Sequence, residues 1–169
     1  WIGSNRALEQ KISLKGSRAV ILGAGGSARA IGFGLLEAGA EIRICSRTEP
    51  RGRALAETLE CQWLPLADAA RQDADILINA TSVGMGTGQQ PSPLLGGVPD
   101  NYSVVMDIVY SPLNTRLLQD AASAGGTIVN GLEMLLYQGI AQFELWTGLT
   151  APVDVMRDVL INAVATANE

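Results

Sequence analysis

The sequence predicts a doubly wound α/β protein whose six parallel strands run in the order 3-2-1-4-5-6, with flanking helices at both ends of the chain. Three observations predict it. Short apolar runs alternate with stretches of helical apolar spacing, and a glycine-rich turn joins the first such run to the first long helix. The chain has 169 residues, 47% of them hydrophobic and 19 of them glycine, which fits one compact domain over residues 1–169. Strands that alternate with helices or helical turns pair in parallel through right-handed crossovers.

Trp1 to Gln10 reads as a short helix with Ile2 and Leu8 apolar, and Gly16 turns the chain into a strand over Arg18 to Leu22. The next helix, Ser27 to Ala38, carries Ile31, Leu35 and Leu36 at helical spacing and stops at Gly39, a residue suited to a left-handed cap. Glu41 to Cys45 is the second strand, which completes a βαβ unit. Helix is expected over Arg51 to Leu59, a short strand over Gln62 to Leu64, a helical turn over Ala67 to Arg71 and a buried strand over Asp75 to Asn79. From Thr81 to Tyr102 the glycines 84, 86, 88, 96 and 97 and three prolines predict a long irregular loop. Val104 to Asp107, a helix over Thr115 to Ala124 and Thr127 to Asn130 supply the fifth strand, its crossover and the sixth strand. Helices over Glu133 to Trp146 and Val153 to Ala167 close the chain.

The turn Gly23-Ala24-Gly25-Gly26-Ser27-Ala28 sits between the first strand and its helix. Gly23 permits the tight turn, Gly25 lets the backbone approach a pyrophosphate, and Ala28 lets helix and strand pack closely. Free amides of the first helical turn then face the anion. Without context a GxGxxA pattern is a glycine-rich turn of any parallel sheet, but strand before and helix after supply the context of a Rossmann-type dinucleotide site.

Charge and composition exclude several classes. The formal net charge is −5 and no basic run occurs, which argues against nucleic acid or an anionic membrane surface as partner. No stretch is apolar enough to span a bilayer and no leader pattern opens the chain, so a cytoplasmic location is expected. Trp1 in place of an initiating Met is read as processing or excision from something longer. Cys45 and Cys61 lack metal-type spacing and are expected as buried small apolar residues, and no metal site is predicted. Histidine is absent, and the only lysines, Lys11 and Lys15, precede the first strand and are expected to lie away from the nucleotide cleft.

The end of the second strand selects among dinucleotides. A free ribose 2′-hydroxyl is normally held there by a carboxylate, whereas this chain has Ser46-Arg47-Thr48, with Arg51 one helical turn on. Guanidinium groups without a carboxylate suit a 2′-phosphate, so NADP is expected over NAD. Read as solvated residues at a helix start, the two arginines would oppose the helix dipole. Asn79, Thr81 and Ser82 read as ligand contacts, Thr81 and Ser82 toward the cofactor, with strand-end capping nearly as good a reading for all three.

At this point the chain resembles the shikimate dehydrogenase family along its whole length, as that family's C-terminal NADP-binding domain. The resemblance rests on GAGGSA at 23–28, on Ser46-Arg47-Thr48 against the family's Asn-Arg-Thr clamp, and on Asn79 to Met85 after the fourth strand. It continues with Asp107 to Tyr110 followed by Pro112 and Thr115, and with Gly131 to Gly139 followed by Phe143 and Trp146-Thr147-Gly148. It implies reduction of 3-dehydroshikimate to shikimate with NADPH, on the route through chorismate to aromatic amino acids. Ile108, Gly131 and Met134 would then lie at the nicotinamide, and Tyr110 and Gln138 would reach the substrate; Met134 and Tyr137 also read as core, the preferred reading for Tyr137.

The family draws its catalytic Lys and Asp from an N-terminal substrate domain, and no residue here matches either. The resemblance therefore implies a cofactor half that is inactive alone, with residues 1–15 leading to the missing domain and the helix 153–167 packing toward it. Val155, Val159, Ala163 and Ala167 would leave an apolar stripe partly exposed, with self-association as the expected result. Other readings of the frame are a quinate- or methylenetetrahydrofolate-type dehydrogenase domain and a module that binds NADP without chemistry. A quinate enzyme using NAD would carry an acidic residue near position 46, where this chain has none.

Overall fold

The computed structural model describes residues 1–86 and 91–167, and leaves undescribed the side chains of 165–167. Gly88 of the predicted loop and the Ala167 side chain of the predicted stripe thus lie outside the described residues.

Six parallel strands form one sheet in the order β3-β2-β1-β4-β5-β6. They are β1 (Arg18–Leu22), β2 (Glu41–Ser46), β3 (Gln62–Pro65), β4 (Ile76–Asn79), β5 (Val104–Asp107) and β6 (Thr127–Val129). The helices are α1 (Ile2–Glu9), α2 (Gly26–Glu37), α3 (Glu49–Thr58), α4 (Arg116–Ser123), α5 (Gly131–Thr147) and α6 (Val153–Ala167), with a 3-10 segment at Leu66–Arg71. In the centre, Ala19 of β1 is in register with Ile42 of β2 on one side and Ile76 of β4 on the other.

Period-two alternation splits the core into two layers. Ala19, Ile21, Ile42, Ile44, Ile76 and Ile78 point to the face covered by α1, α2, α3 and α5. Val20, Leu22, Leu77 and Val105 point to the face covered by the 3-10 segment, the loop before β5 and α4. Burial on both faces explains why these strands read as continuous apolar runs.

Several boundaries move by a residue or two, for identifiable reasons. Helix α3 starts at Glu49 because Pro50 is pre-set for a first helical turn, and α5 starts at Gly131 because the Asn130 side chain caps it, accepting from Glu133 N at 3.2 Å. Helix α2 ends as expected against Gly39, at φ +82°. Cys45 is fully buried, but Cys61 is only half-buried, a correction to the expectation for the pair, because it follows Glu60 at the open end of α3 rather than lying on a strand.

Helix α6 packs on α5 through Val153, Met156 and Leu160. The opposite stripe is exposed, with Val155 and Val159 each 61% accessible. No helix among the described residues is long and apolar enough to cross a membrane.

Candidate dinucleotide-binding site

The site lies at the carboxyl ends of the strands, where β1 and β4 diverge into crossovers on opposite faces of the sheet. Gly23 adopts φ +115°, and a Cβ there would stand 2.9 Å from Thr81 Cγ2 and 3.0 Å from the Ala80 carbonyl oxygen. Only glycine serves this turn. Gly25 is the N-cap of α2 and supplies no side-chain cap. A Cβ at Gly25 or Gly26 would meet nothing within 4 Å, so open space lies over the first amides of the helix. Ala28 is wholly buried between α2 and the sheet. The residues of the glycine turn thus fit a pyrophosphate: unfilled space, and helix amides aimed into it.

A cavity of about 480 Å³ joins this cradle to Ser46, Arg47, Thr48 and Arg51 on one side and to Thr81 and Ser82 on the other. Arg47 and Arg51 are exposed, while Ser46 is 6% accessible. Its hydroxyl donates to the Thr48 carbonyl oxygen at 3.3 Å and accepts from Trp63 Nε1 at 3.0 Å. Sequence reasoning passed over Trp63, whose contact reaches back 17 residues from the neighbouring strand.

Asn79 organises the middle of the cleft. Its Oδ1 accepts from Thr81 N at 3.1 Å and from Thr81 Oγ1 at 2.6 Å, and its Nδ2 donates to the Val83 carbonyl oxygen at 3.0 Å. Thr81 Oγ1 in turn accepts from Val83 N at 3.1 Å. Asn79 and Thr81 therefore hold the turn after β4, and Ser82 is left exposed at its apex. The same Nδ2 reaches Asp107 Oδ1 at the end of β5. Asp107 also accepts from Val109 N at 3.0 Å and from Thr115 Oγ1 at 2.7 Å. Burial pushes the Asp107 carboxyl above its usual range, against the opposing pull of the bonds from Val109, Thr115 and Asn79.

Two further cavities continue the cleft. One, of about 330 Å³, is lined by Ser27, Thr81, Ser82, Met85, Ile108 and Tyr110; the other, of about 460 Å³, by Gly3, Gly26, Ser27, Met134 and Gln138 among others. Shared lining residues, Thr81 and Ser82 in the first two cavities and Ser27 in the last two, join the three. Tyr110 and Gln138 thus open onto adjoining spaces. Gly131 is set by close approach, since a Cβ there would stand 2.4 Å from the Ile108 carbonyl oxygen. Met134 both packs on the core and lines the third cavity, and Tyr137 packs against the core as preferred from the sequence.

Among the described residues, the charged side chains lining these cavities are Arg47 and Arg51, both at the far end from Tyr110 and Gln138. Lys11 lines a separate cavity beside β6 and α5, and Lys15 lies against Gly39. No cluster of potential metal ligands occurs among the described residues.

Residues 131–161 match the model of the shikimate 5'-dehydrogenase C-terminal domain, and residues 5–85 match that of shikimate/quinate 5-dehydrogenase. A shikimate dehydrogenase (NADP(+)) from Haloarcula marismortui is 47% identical over 92% of this chain. The chain belongs to the shikimate dehydrogenase family. It spans 59% of that relative and 56% of the one from Halobacterium salinarum, which is 46% identical over 88% of this chain. Among solved members of the shikimate dehydrogenase family, the Thermus thermophilus enzyme in complex with NADP(H) and shikimate superposes with a TM-score of 0.85 at 40% identity, over 95% of this chain and 60% of that one. A ligand-free 5-ketofructose reductase of Gluconobacter superposes at 0.82 with 36% identity, over 95% and 61%.

Proposed function

We propose that this chain is the NADP-binding domain of an NADP-dependent shikimate dehydrogenase, interconverting 3-dehydroshikimate and shikimate. The observation that carries the reading is the end of β2: two exposed arginines and, among the described residues, no lining carboxylate, in the same cavity as an open glycine cradle. Gly23, Gly25 and Gly26 would take the pyrophosphate, with Ala24 and Ser27 beside them, and Arg47 and Arg51 the 2′-phosphate with Ser46 and Thr48. A name of NADP dependence on the relatives supports it.

When bound, NADPH supplies the hydride for the ketone carbon. This chain's part is to hold and orient: the Gly131 start of α5 and the Ile108 backbone wall the nicotinamide end, and Met134 excludes water beside them. Tyr110 and Gln138 offer hydroxyl and amide groups to a polyhydroxylated ring. The proton for the ketone oxygen needs a positioned acid, and among the described residues the cavities bring no Lys, His or carboxylic acid side chain to this end. Lys and Asp of a separate substrate domain fill that role in this proposal, so the chain alone turns over neither substrate. Its span of 59% of a relative's length supports this division. The α1 segment and α6 would face that domain.

Calorimetric titration tests the proposal. NADP should bind at least about tenfold tighter than NAD, and Arg47→Ala should remove most of the difference, as a charge-assisted hydrogen bond of roughly 1.5–3 kcal/mol implies. Equal affinity for both nucleotides would overturn the assignment. Shikimate oxidation by the chain alone would overturn the division of labour.

A further inference from the structure

Trp63 stands on β3 in register with Ile44 of β2, half-buried against the core. Its Nε1 donates to Ser46 Oγ at 3.0 Å, and that oxygen donates onward to the Thr48 carbonyl oxygen at 3.3 Å. A Cβ on Gly52 would stand 2.1 Å from Trp63 Nε1 and 2.2 Å from Ser46 Oγ, so the first turns of α3 close directly on the pair. Outside, the Arg53 guanidinium lies 4.6 Å from the indole centroid and is held by Glu49 at 2.8 Å. One side chain therefore touches the segment 46–53 before and after Arg47 and Arg51. Among the described residues neither of those two arginines has an ion pair.

We propose that Trp63 is the positioning residue of the 2′-phosphate clamp: through Ser46 Oγ and its contact over Gly52 it fixes the backbone from which Arg47 and Arg51 project, and so sets the preference for NADP over NAD. The inference rests on the reading of this cavity as an NADP site. Long exposed arginines lose side-chain freedom when they grip a phosphate, and a backbone already fixed limits the further loss to the side chains. NAD lacks the 2′-phosphate and does not draw on that fixed geometry. Trp63 thus acts on selectivity rather than on affinity for dinucleotides in general.

The test is a double-mutant cycle of Trp63→Phe and Ser46→Ala in the whole chain, with NADP and NAD titrated separately. Phenylalanine keeps a ring over Gly52 and removes the N–H donor. NADP is expected to bind about fivefold more weakly to Trp63→Phe, the size of one neutral hydrogen bond, with NAD affinity unchanged. In the Ser46→Ala background, Trp63→Phe should cost nothing further. An unchanged NADP-to-NAD ratio, equal weakening of both nucleotides, or additive losses would each overturn the role. A second readout needs no variant fold. Of the three tryptophan indole N–H signals, that of Trp63 should shift on addition of 2′,5′-ADP and stay in place with 5′-AMP, and an unmoved signal at saturating 2′,5′-ADP overturns the proposal. If the unsubstituted chain itself shows no NADP preference, the site reading fails first; if it does and Trp63→Phe retains it, only the role of Trp63 fails.

Discussion

Asn79 Nδ2 donates to Asp107 Oδ1 across 2.9 Å at the carboxyl ends of the adjacent strands β4 and β5. Both residues are wholly buried. Through them the turn Thr81–Val83, which borders the proposed 2′-phosphate cavity, is tied to the loop after β5, which carries Ile108 and Tyr110. Thr115 fastens the same carboxylate to the start of α4, where its hydroxyl also accepts from Leu118 N.

Asp107→Ala leaves the Asn79 amide, the Val109 N–H and the Thr115 hydroxyl without their shared acceptor in a buried cluster. Such a loss is expected to cost about 3 kcal/mol, measured as a fall in the urea midpoint at unchanged slope. A cost below about 1 kcal/mol would mean that water reaches the cluster.

The same carboxylate gives stability a pH dependence. Burial raises the Asp107 pKa above its unfolded value, so the native state keeps a proton that the unfolded chain has already released. This group's contribution is complete below the unfolded pKa near ~3.9 and is lost as pH rises through the folded pKa. Asp107→Asn should flatten that decline. Urea midpoints of both proteins over a series from about pH 4 to pH 7 check it, and parallel curves would refute it.

Gly131→Ala would put a Cβ 2.4 Å from the Ile108 carbonyl oxygen and 2.6 Å from the Val109 carbonyl carbon. Both obstacles are backbone, so α5 and the loop after β5 must separate. A loss of about 2 kcal/mol is expected, together with weaker binding of reduced nicotinamide nucleotide. Thermal unfolding and nucleotide titration on one preparation measure both effects.

The thiols should resist alkylation in the native chain. Burial pushes Cys45 up to about 12 and Cys61 up to about 11, so little thiolate exists at neutral pH. Iodoacetamide at pH 8 is expected to reach half-buried Cys61 first and Cys45 only after unfolding, with mass spectrometry of timed samples resolving the order. Faster modification of Cys45 would contradict the burial described for β2.

Strand order was readable because the strands are apolar on both faces and because Gly23 and Gly39 mark the ends of β1 and α2. That the glycine turn and the two arginines line one cavity was readable for a different reason, since the turn, the end of β2 and the start of α3 follow one another along a short stretch of chain. Trp63 was not. Its meaning depends on Ser46 and Gly52, which share no periodicity with it and meet it only after β3 pairs with β2. The Asn79, Asp107 and Thr115 cluster likewise needs three separate elements to converge, and from sequence Asn79 read nearly as well as a cap as it did as a ligand contact. The starts of α3 and α5 were misplaced by two residues because Pro50 and Asn130 act as helix starters only where the chain direction lets them.

The sheet ends in two short borders: β6 has three residues before the chain bends into α5, and β3 has four and closes on Pro65, which has no N–H to offer. Unpaired strand borders are the usual templates for fibrous stacking of one chain on another, and brevity and proline are two of the ways such growth is blocked. A second copy finds little ladder to extend at either rim.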